Sequence, residues 1–443
     1  MRPPLVYVLV INWNGLEHLE ECFASLLACP YPSIRFFLID NASTDGSVAF
    51  VRDRFGSDER VVVLQCPRNL GWSGGNNVGL RRALEDGADY AFLLNNDTAT
   101  APDAIPELVA TAEARPEIGA LAPKMLLFDQ PFLLNSLGLE CSIIASSWDR
   151  GLGRVDGPHW DLPGQTIGVC GGAWFLRAAA LRKTGLLPED FDIYLDDLDL
   201  CLRLWDGGYE VWTCPAARVR HKFGATYGQG ERARRKYFLS TRNRFRLMLR
   251  NFPWSRMAAC FPAIVLGECR AVGRALLDKE YWRAGLHARA WLDAPLYVPH
   301  ALAERARRRR AGLVRGRFWP LVRRRPLFCP RIPLPERGWY PEIAHQGRRL
   351  RPMSARAWEE VPPGRLRLLH GNCYPALGPT EVVVRAEGAE LARLSTTSLE
   401  ETRVEARAGR LEFESRRVFT AQETGAEVDL GGWIGIERLD THE

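Results

Sequence analysis

From Leu5 to about Ala225, short β-rich runs alternate with helical stretches, and most of the runs end in a cluster of asparagine, aspartate, glycine and serine. The runs are LVYVLVI at 5 to 11, RFFLID at 35 to 40, VVVLQ at 61 to 65 and YAFLL at 90 to 94, with an amphipathic stretch from Glu17 after the first. This alternation predicts an α/β domain with a mainly parallel sheet. In open α/β sheets the crevice at the carboxyl ends of the strands binds ligands, because loop amides and helix N-termini point there from rigid supports. Asn12, Asp40, Asn69 and Asp97 fall at such ends.

Two changes of pattern divide the remainder of the 443 residues. From Glu231 the chain reads as helical and basic, with Arg234, Arg235, Arg242, Arg244, Arg246 and Arg250 interleaved with Tyr237, Phe238, Phe245, Leu247 and Leu249. Residues 301 to 330 carry ten arginines against the single acidic Glu304, although the whole chain is only +6. Helices with arginines on one face and Phe, Leu and Trp on the other can lie on an anionic bilayer, each arginine contributing about 1 kcal/mol near the headgroups. A solvated basic helix or linker is the plainer alternative, and no nucleic-acid fold motif accompanies the charge. After a proline-rich hinge at Pro326 to Pro335, alternating runs such as EVVVRA at 381 to 386 and RLEFESRRVF at 410 to 419 predict a small β-sandwich. The expected organisation is therefore an α/β domain over 1–230, basic amphipathic helices over 231–330 and a β domain over 331–443.

No stretch reaches the ~18 to 20 apolar residues that cross a bilayer, Met257 to Gly267 coming nearest, and residues 1 to 11 lack a cleavable signal pattern. The expected location is the cytoplasm, with peripheral contact at the inner face of the membrane. The 11 cysteines are odd in number and form no C-x-x-C pair, so they read as reduced packing residues.

Four motifs carry candidate chemistry. LLNNDT at 93 to 98 sets Asp97 beside Asn95 and Asn96, oxygen ligands that suit a hard divalent cation against a diphosphate; the same residues also suit a turn and a helix cap near Pro102. In LIDNASTDGS, Asp40 stands at a strand end where its carboxylate can accept hydrogen bonds from a nucleobase or ribose, while Asp45 reads as a cap. NLGWSGGNNVGL at 69 to 80 is a glycine-rich loop entering a helix, open to close ligand approach at Gly71, Gly74 and Gly75. YLDDLDLCLRLWDGGYEVW opens a helix with Asp196, Asp197 and Asp199, more carboxylates than capping needs; crowded together they raise one another's pKa, and one can serve as a general base. His221, after a predicted strand, can offer a ring nitrogen to a metal or a phosphate oxygen, or be structural.

In order, LVINWN, LIDNASTDGS, NLGWSGGNNVGL, LLNNDT, CGGAWFLRAAAL, YLDDLDLCLRLWDGGY and ARVRHKFGAT resemble the motifs of the family 2 glycosyltransferases, nearest to the bacterial rhamnosyltransferase-like branch, over roughly residues 4 to 250. The resemblance implies a GT-A fold with the sugar nucleotide across the strand ends, bound by Asn12, Asp40, Asn69, Gly74, Asn76, Asn95 and Asn96. It implies Mg²⁺ or Mn²⁺ held by Asp97 and His221, with Asn95 standing where the family's D-x-D motif has its first aspartate. Asp197 matches the family's catalytic base and Asp196 replaces the usual glutamate beside it. Asp196 and Trp174 are the expected acceptor contacts, Trp174 as a stacking face, although AWFLRAAAL also reads as a buried strand. The implied reaction is inverting transfer from a nucleotide-diphosphate donor to a hydroxyl of a glycan or lipid-linked acceptor in bacterial cell-surface polysaccharide synthesis. dTDP-rhamnose is the favoured donor and a UDP-sugar the second. GWYPEI at 338 to 343 and the strands after it resemble β-sandwich modules appended to bacterial glycosyltransferases. A sugar nucleotidyltransferase would need a glycine-rich loop with a basic residue where Asn12, Trp13 and Asn14 stand. A non-catalytic glycan-binding scaffold is the remaining alternative, supported only by Asn95 replacing an aspartate.

Overall fold

The computed structural model describes residues 2–128, 131, 133–154, 156–222, 231–313 and 316–324, then 343–345, 348–353, 356–361, 364–371, 380–396, 400–406, 409–415 and 432–438. The hinge at Pro326 to Pro335 and all of GWYPEI but Ile343 lie outside the described residues. The chain forms two compact units, one of Met1–Phe128, Asn135–Arg150 and Pro158–Pro330, the other of Asp129–Leu134, Gly151–Gly157 and Arg331–Glu443.

In the first unit the expected alternation holds: β1 (Val6–Asn12), α1 (Leu16–Leu27), β2 (Ile34–Asp40), α2 (Ser47–Phe55), β3 (Val61–Gln65), α3 (Gly71–Glu85) and β4 (Tyr90–Asn95). Every residue of β1 is buried, as a strand covered on both faces requires. The parallel register pairs Asn12 with Asp40 and Ile11 with Asn95, so the polar strand ends finish in one row. There follow β5 (Thr98–Thr100), α4 (Ala104–Ala114), β6 (Ile118–Leu127), β7 (Leu134–Ser136), β8 (Leu139–Cys141), β9 (Ser147–Asp149), β10 (Ala173–Arg177), α5 (Ala178–Thr184), α6 (Asp196–Asp206) and β11 (Glu210–His221). The main sheet runs β3-β2-β1-β4-β10-β6-β11-β5, with β7 on β6. The first four strands are parallel, while β10 is antiparallel to both β4 and β6. Two apolar cores fill the faces of this sheet, one under α3, α5 and α6, the other under α1, α2 and α4. The described cysteines are free and mostly buried, in keeping with a packing role.

The basic stretch forms α7 (Glu231–Asn251), α8 (Trp254–Leu277) and α9 (Tyr281–Arg310). These helices are not a separate region: they belong to the first unit, and their arginines explain why. Asp199, fully buried on α6, lies 2.9 Å from Arg203 Nε, 3.4 Å from Arg250 Nε and 3.4 Å from Arg308 Nη2, and accepts a hydrogen bond from Asn251 Nδ2 at 2.8 Å. Burial alone would raise its pKa, but the guanidiniums of Arg308, Arg250 and Arg203 hold the carboxyl far below the usual range. Asp199 is thus a structural anchor and not part of a mutually repelling carboxylate cluster, correcting the expectation that all three aspartates raise one another. Asp190 receives Arg250 Nη1 at 2.8 Å and the Tyr297 hydroxyl at 2.5 Å, and its backbone carbonyl receives Arg246 Nη1 at 2.8 Å.

The second unit contains β12 (Ile343–His345), β13 (Arg348–Met353), β14 (Arg356–Val361), β15 (Gly364–Gly371), β16 (Thr380–Ala386), β17 (Ala389–Thr396), β18 (Glu400–Ala406), β19 (Gly409–Ser415) and β20 (Gly432–Arg438). They make two antiparallel sheets, β12-β13-β20-β15-β18 and β14-β19-β16-β17. Leu366, Leu368 and Ile434 of one sheet share a core with Val382, Val384 and Phe413 of the other, as face-to-face packing requires.

Replacing Asp199 by Asn removes the one negative group that three buried guanidiniums share. Asp199→Asn should cost about 3–5 kcal/mol, the usual cost of breaking a buried ion pair from one side. Chemical denaturation of the purified variant against wild type measures this.

Candidate active site

The row of strand ends forms the floor of the site. Asp40 is buried with Oδ2 accepting from the Ser43 amide at 3.2 Å, while Oδ1 has no hydrogen-bond partner. A buried carboxylate oxygen without a donor is costly unless a ligand supplies one. Asn12 is buried beside it, donating to Ser43 Oγ at 3.1 Å and accepting from Asn96 Nδ2 at 2.6 Å.

Asp97 and His221, 124 positions apart in sequence, meet through strand pairing. Thr98 of β5 is opposite His221 of β11, and the Lys222 amide donates to the Asp97 carbonyl at 3.0 Å. His221 Nε2 stands 3.3 Å from Asp97 Oδ1, an oxygen that is buried and makes no hydrogen bond. On the other side of the ring, His221 Nδ1 lies 2.6 Å from Asn135 Oδ1, which orients the imidazole so that Nε2 faces the carboxylate. A carboxylate and an imidazole facing one another, backed by an orienting amide, fit a divalent cation. Among the described residues no three His, Cys, Asp or Glu side chains converge, so no third side chain of these types joins the pair.

The glycine-rich stretch differs from its expected role. Helix α3 already begins at Gly71, so Gly74 and Asn76 lie inside it, both buried. A Cβ on Gly74 would meet Leu70 Cβ at 2.9 Å, and one on Gly75 would meet Ile11 Cδ1 at 2.7 Å. These glycines let the helix pack closely, and Asn76 donates to the Trp72 carbonyl at 3.0 Å within the helix while its buried Oδ1 has no hydrogen-bond partner. Asn69 accepts from Asn41 Nδ2 at 3.0 Å and the Gly71 amide at 2.8 Å, a loop-shaping role shared with the buried Asn41, which sequence reasoning passed over. Gly71 itself is required: its φ is +74°, and a side chain would strike Asp192 Oδ1 at 2.2 Å.

Helix α6 delivers the acidic pair. Asp197 Oδ1 accepts from the Leu198 amide at 2.7 Å and Oδ2 from the Gly171 amide at 3.0 Å. Burial pushes its pKa up to about 6 against the pull of those amides, and the charge of Asp149 adds to the rise. Asp196 is buried and accepts from Ser73 Oγ at 2.7 Å. Burial, then the charge of Asp197, raise its pKa well above the ordinary value. Asp196 is thus enclosed by protein, which disfavours the acceptor contact expected of it.

Trp174 is likewise corrected. It is 0% exposed within β10, and its ring stacks on Trp72 with centroids 6.3 Å apart. Trp72 is the ring that borders the site: its Nε1 donates to Asn95 Oδ1 at 3.2 Å, and a Cβ on Gly171 would touch both Trp72 and Asp197. The sequence places an aromatic in each motif but cannot tell which one the sheet encloses.

Asp197 opens onto a cavity of about 320 Å³, lined also by Trp148 and Asp149 of β9, by Tyr194, and by Ser240, Thr241 and Arg244 of α7. Asp149 was not anticipated, since nothing near it in sequence marks it. Its carboxyl is raised by burial, and its Oδ1 has no hydrogen-bond partner. Hydroxyls, two aromatic faces and one unsatisfied carboxylate oxygen around one opening suit a polyhydroxylated molecule.

The loop before α6 holds this geometry under strain. Asp192, Tyr194 and Leu195 all have positive φ, an uncommon cluster for residues other than glycine. The buried Asn243 of α7 compensates, its Nδ2 donating to the carbonyls of Phe191, Ile193 and Tyr194, each at 2.9 Å.

Residues 7–182 match the sequence profile of Glycosyl transferase family 2. Over that stretch, about two fifths of its length, the chain is similar to the family 2 glycosyltransferases. The mixed α/β sheet fits the GT-A fold that the sequence resemblance implies. Similar proteins include the uncharacterized protein y4gI of Sinorhizobium fredii, 27% identical over 244 residues, or 51% of this chain and 25% of that protein. The N-acetylglucosaminyl-diphospho-decaprenol L-rhamnosyltransferase of Mycobacterium tuberculosis is 25% identical over 237 residues, 48% of this chain and 75% of that one. The low-salt glycan biosynthesis hexosyltransferase Agl10 of Haloferax volcanii is 21% identical over 249 residues, 54% of this chain and 73% of that one. The chain thus spans a quarter of the length of the first of these relatives and about three quarters of the other two. Among solved structures, GalNAc-T7 with UDP, GalNAc and Mn²⁺ aligns at a TM-score of 0.46 and 14% identity, over 57% of this chain and 49% of that one. The mannosyltransferase PcManGT of Pyrobaculum calidifontis with GDP-Man and Mn²⁺ aligns at 0.41 and 17%, over 72% and 84%.

Asn243→Ala should free the three loop carbonyls. Hydrogen exchange across residues 191–197 is expected to rise sharply while β1 to β4 stay protected, with a stability loss of about 1–3 kcal/mol for the unsatisfied groups.

Proposed function

We propose that this chain is an inverting glycosyltransferase that moves a sugar from a nucleotide-diphosphate donor to a hydroxyl of a glycan or lipid-linked acceptor. The observation that carries the reading is Asp197, a carboxylate held by two backbone amides at the edge of a hydroxyl- and aromatic-lined cavity. The donor lies across the strand ends, where the free Oδ1 of Asp40 accepts hydrogen bonds from the base or ribose. The acceptor hydroxyl enters from the cavity, with Trp72 between the two compartments. Asp197 takes the hydroxyl proton as that oxygen bonds to the anomeric carbon, the bond to the diphosphate breaks with its electron pair on the leaving oxygen, and the sugar carbon inverts.

Asp97 and His221 would hold a divalent cation, Mg²⁺ or Mn²⁺, which offsets negative charge on the diphosphate. dTDP-rhamnose is the favoured donor, supported by the likeness to the mycobacterial rhamnosyltransferase, and a UDP-sugar the second. The pathway we assign is bacterial cell-surface polysaccharide synthesis. No described helix is long and apolar enough to cross a membrane. We place the protein on the cytoplasmic side, in peripheral contact with the membrane.

Asp197→Asn should lower turnover by about 10²–10⁴-fold while donor affinity, measured by calorimetry, is retained. Equal turnover in the variant would remove Asp197 as the base. Because the base acts deprotonated, wild-type kcat/KM should fall as pH drops through about 6, above the ordinary carboxylate range. A profile flat down to pH 4.5 would place the proton elsewhere.

The cation assignment has its own test. Asn135→Ala leaves both ligands in place but removes the group that aims His221. Mn²⁺ affinity, read by electron paramagnetic resonance of free Mn²⁺, should fall about 10–100-fold.

A further inference from the structure

The arginine-rich sequence suggested a membrane-facing surface, yet several of those arginines point inward. Arg250, Arg305 and Arg308 are buried, and Arg244 is largely so. The outward faces of α8 and α9 are instead apolar. On α8, Trp254, Phe261, Leu266, Leu276 and Leu277 are exposed, Phe261 and Leu266 each by 61%. On α9, Tyr281, Leu292, Leu296 and Leu302 are exposed, Leu292 by 71% and Leu296 by 81%. Their helical spacing puts each set along one stripe, and Ala258, Pro262, Ala288, Pro295 and Pro299 fill the same faces. At 1.5 Å per residue, the stripes run along helices about 36 and 45 Å long. Exposed apolar surface on this scale marks an interaction site.

Charge identifies the occupant. Arg256, Arg270 and Arg274 are exposed along one line bordering the α8 stripe, and Arg307, Arg309 and Arg310 are exposed where the α9 stripe ends. Residues 254 to 310 hold eleven Lys and Arg against five Asp and Glu. Of those five, Glu268 is buried and Glu304 partly so; Asp278, Glu280 and Asp293 are paired with Arg274, Arg283 and Arg246. Trp254, Tyr281 and Trp291, each partly exposed, are the residue types that settle at a headgroup boundary. A second copy of the chain would bring one cationic rim against another; an anionic lipid surface complements both the stripe and the rim.

One layer of side chains separates this surface from the cavity. Arg244, which lines the cavity, is ion-paired with Glu268 of α8, and Glu268 accepts from Trp291 Nε1 at 3.0 Å and lies 2.8 Å from His287 Nδ1. We infer that the paired outer faces of α8 and α9 seat the protein in the plane of an anionic bilayer, so that an acceptor carried on a membrane lipid is presented to the cavity at Asp197. The role given to Asp197 rests on the reading above; the seating surface does not.

The test is co-sedimentation of the full chain with phosphatidylcholine vesicles, with and without about 30% phosphatidylglycerol. Wild type is expected to bind the anionic vesicles at least tenfold better than the neutral ones. Leu292→Glu with Leu296→Glu, and separately Phe261→Glu, should each weaken binding at least tenfold while circular dichroism, melting temperature and donor hydrolysis stay unchanged. Asp197→Asn should bind vesicles like wild type, so a failed transfer reaction and a failed membrane surface give different results. Absence of vesicle binding, wild-type binding by both stripe variants, or a wild-type dimer that they dissociate would overturn the inference.

Discussion

The loop from Phe191 to Leu195 reaches α6 through left-handed conformations that its side chains disfavour, and it is stable only because Asn243 collects three of its carbonyls. Much of the site depends on that clamp. The loop sets the direction from which α6 starts, hence where Asp196 and Asp197 stand. It also brings Asp192 against Gly71, where only glycine fits, and its carbonyl receives the Ser73 amide at 3.0 Å. The start of α3, the position of Trp72 and the Ser73 contact to Asp196 therefore follow from the same strained turn. Strain of this kind persists where surrounding contacts over-determine it, and α7 supplies those contacts.

This explains why the helical region cannot be detached from the α/β domain. The half-buried Asp190 and the fully buried Asp199 are carboxylates of the α/β part, and Arg246, Arg250 and Arg308 come from α7 and α9 to neutralise them. Desolvating such charges is unfavourable unless each finds its partner, so the arrangement discriminates strongly against misplaced helices even where its net contribution to stability is small. The residues that make the stretch look like a polyelectrolyte are thus partly internal fastenings. What remains outside is an apolar surface with a cationic border.

The fold was largely legible because strand burial writes itself into sequence as continuous apolar runs: LVYVLVI at 5 to 11 was expected as a strand, and β1 at Val6–Asn12 is buried throughout. Asp40, Asp97, His221 and Asp197 drew attention in the sequence because each stands where a strand or helix begins or ends, and the structure places them there. The pairing of Asp97 with His221 could not be read from spacing, since it depends on β5 lying antiparallel to the end of β11. Asn76 and Gly74 misled because a glycine-rich stretch looks the same whether it opens a loop or packs a helix against a sheet. Trp72 and Trp174 were separable only by depth, since they stack on the same side of the sheet with Trp174 enclosed in β10 and Trp72 over it at the start of α3. Asp149 left no trace, being a single acidic residue at the end of a three-residue strand.

The acidic pair shows how neighbouring identical side chains acquire different roles. Asp197 keeps two amide donors and an open side, which favour the ionised form; Asp196 is enclosed, with only the Ser73 hydroxyl on Oδ2 from outside its own turn. Two buried carboxylates this close do not both ionise readily, so the charge is favoured on the one with more donors, and burial together with the charge of Asp197 raises the Asp196 carboxyl well above the ordinary range. With its own carboxyl raised to about 6, Asp197 is ionised near neutrality, the state that the proposed role as base requires. The difference arises from helix geometry: successive residues at the first turn point one toward the protein and one toward the cavity, and that divergence alone separates the two functions.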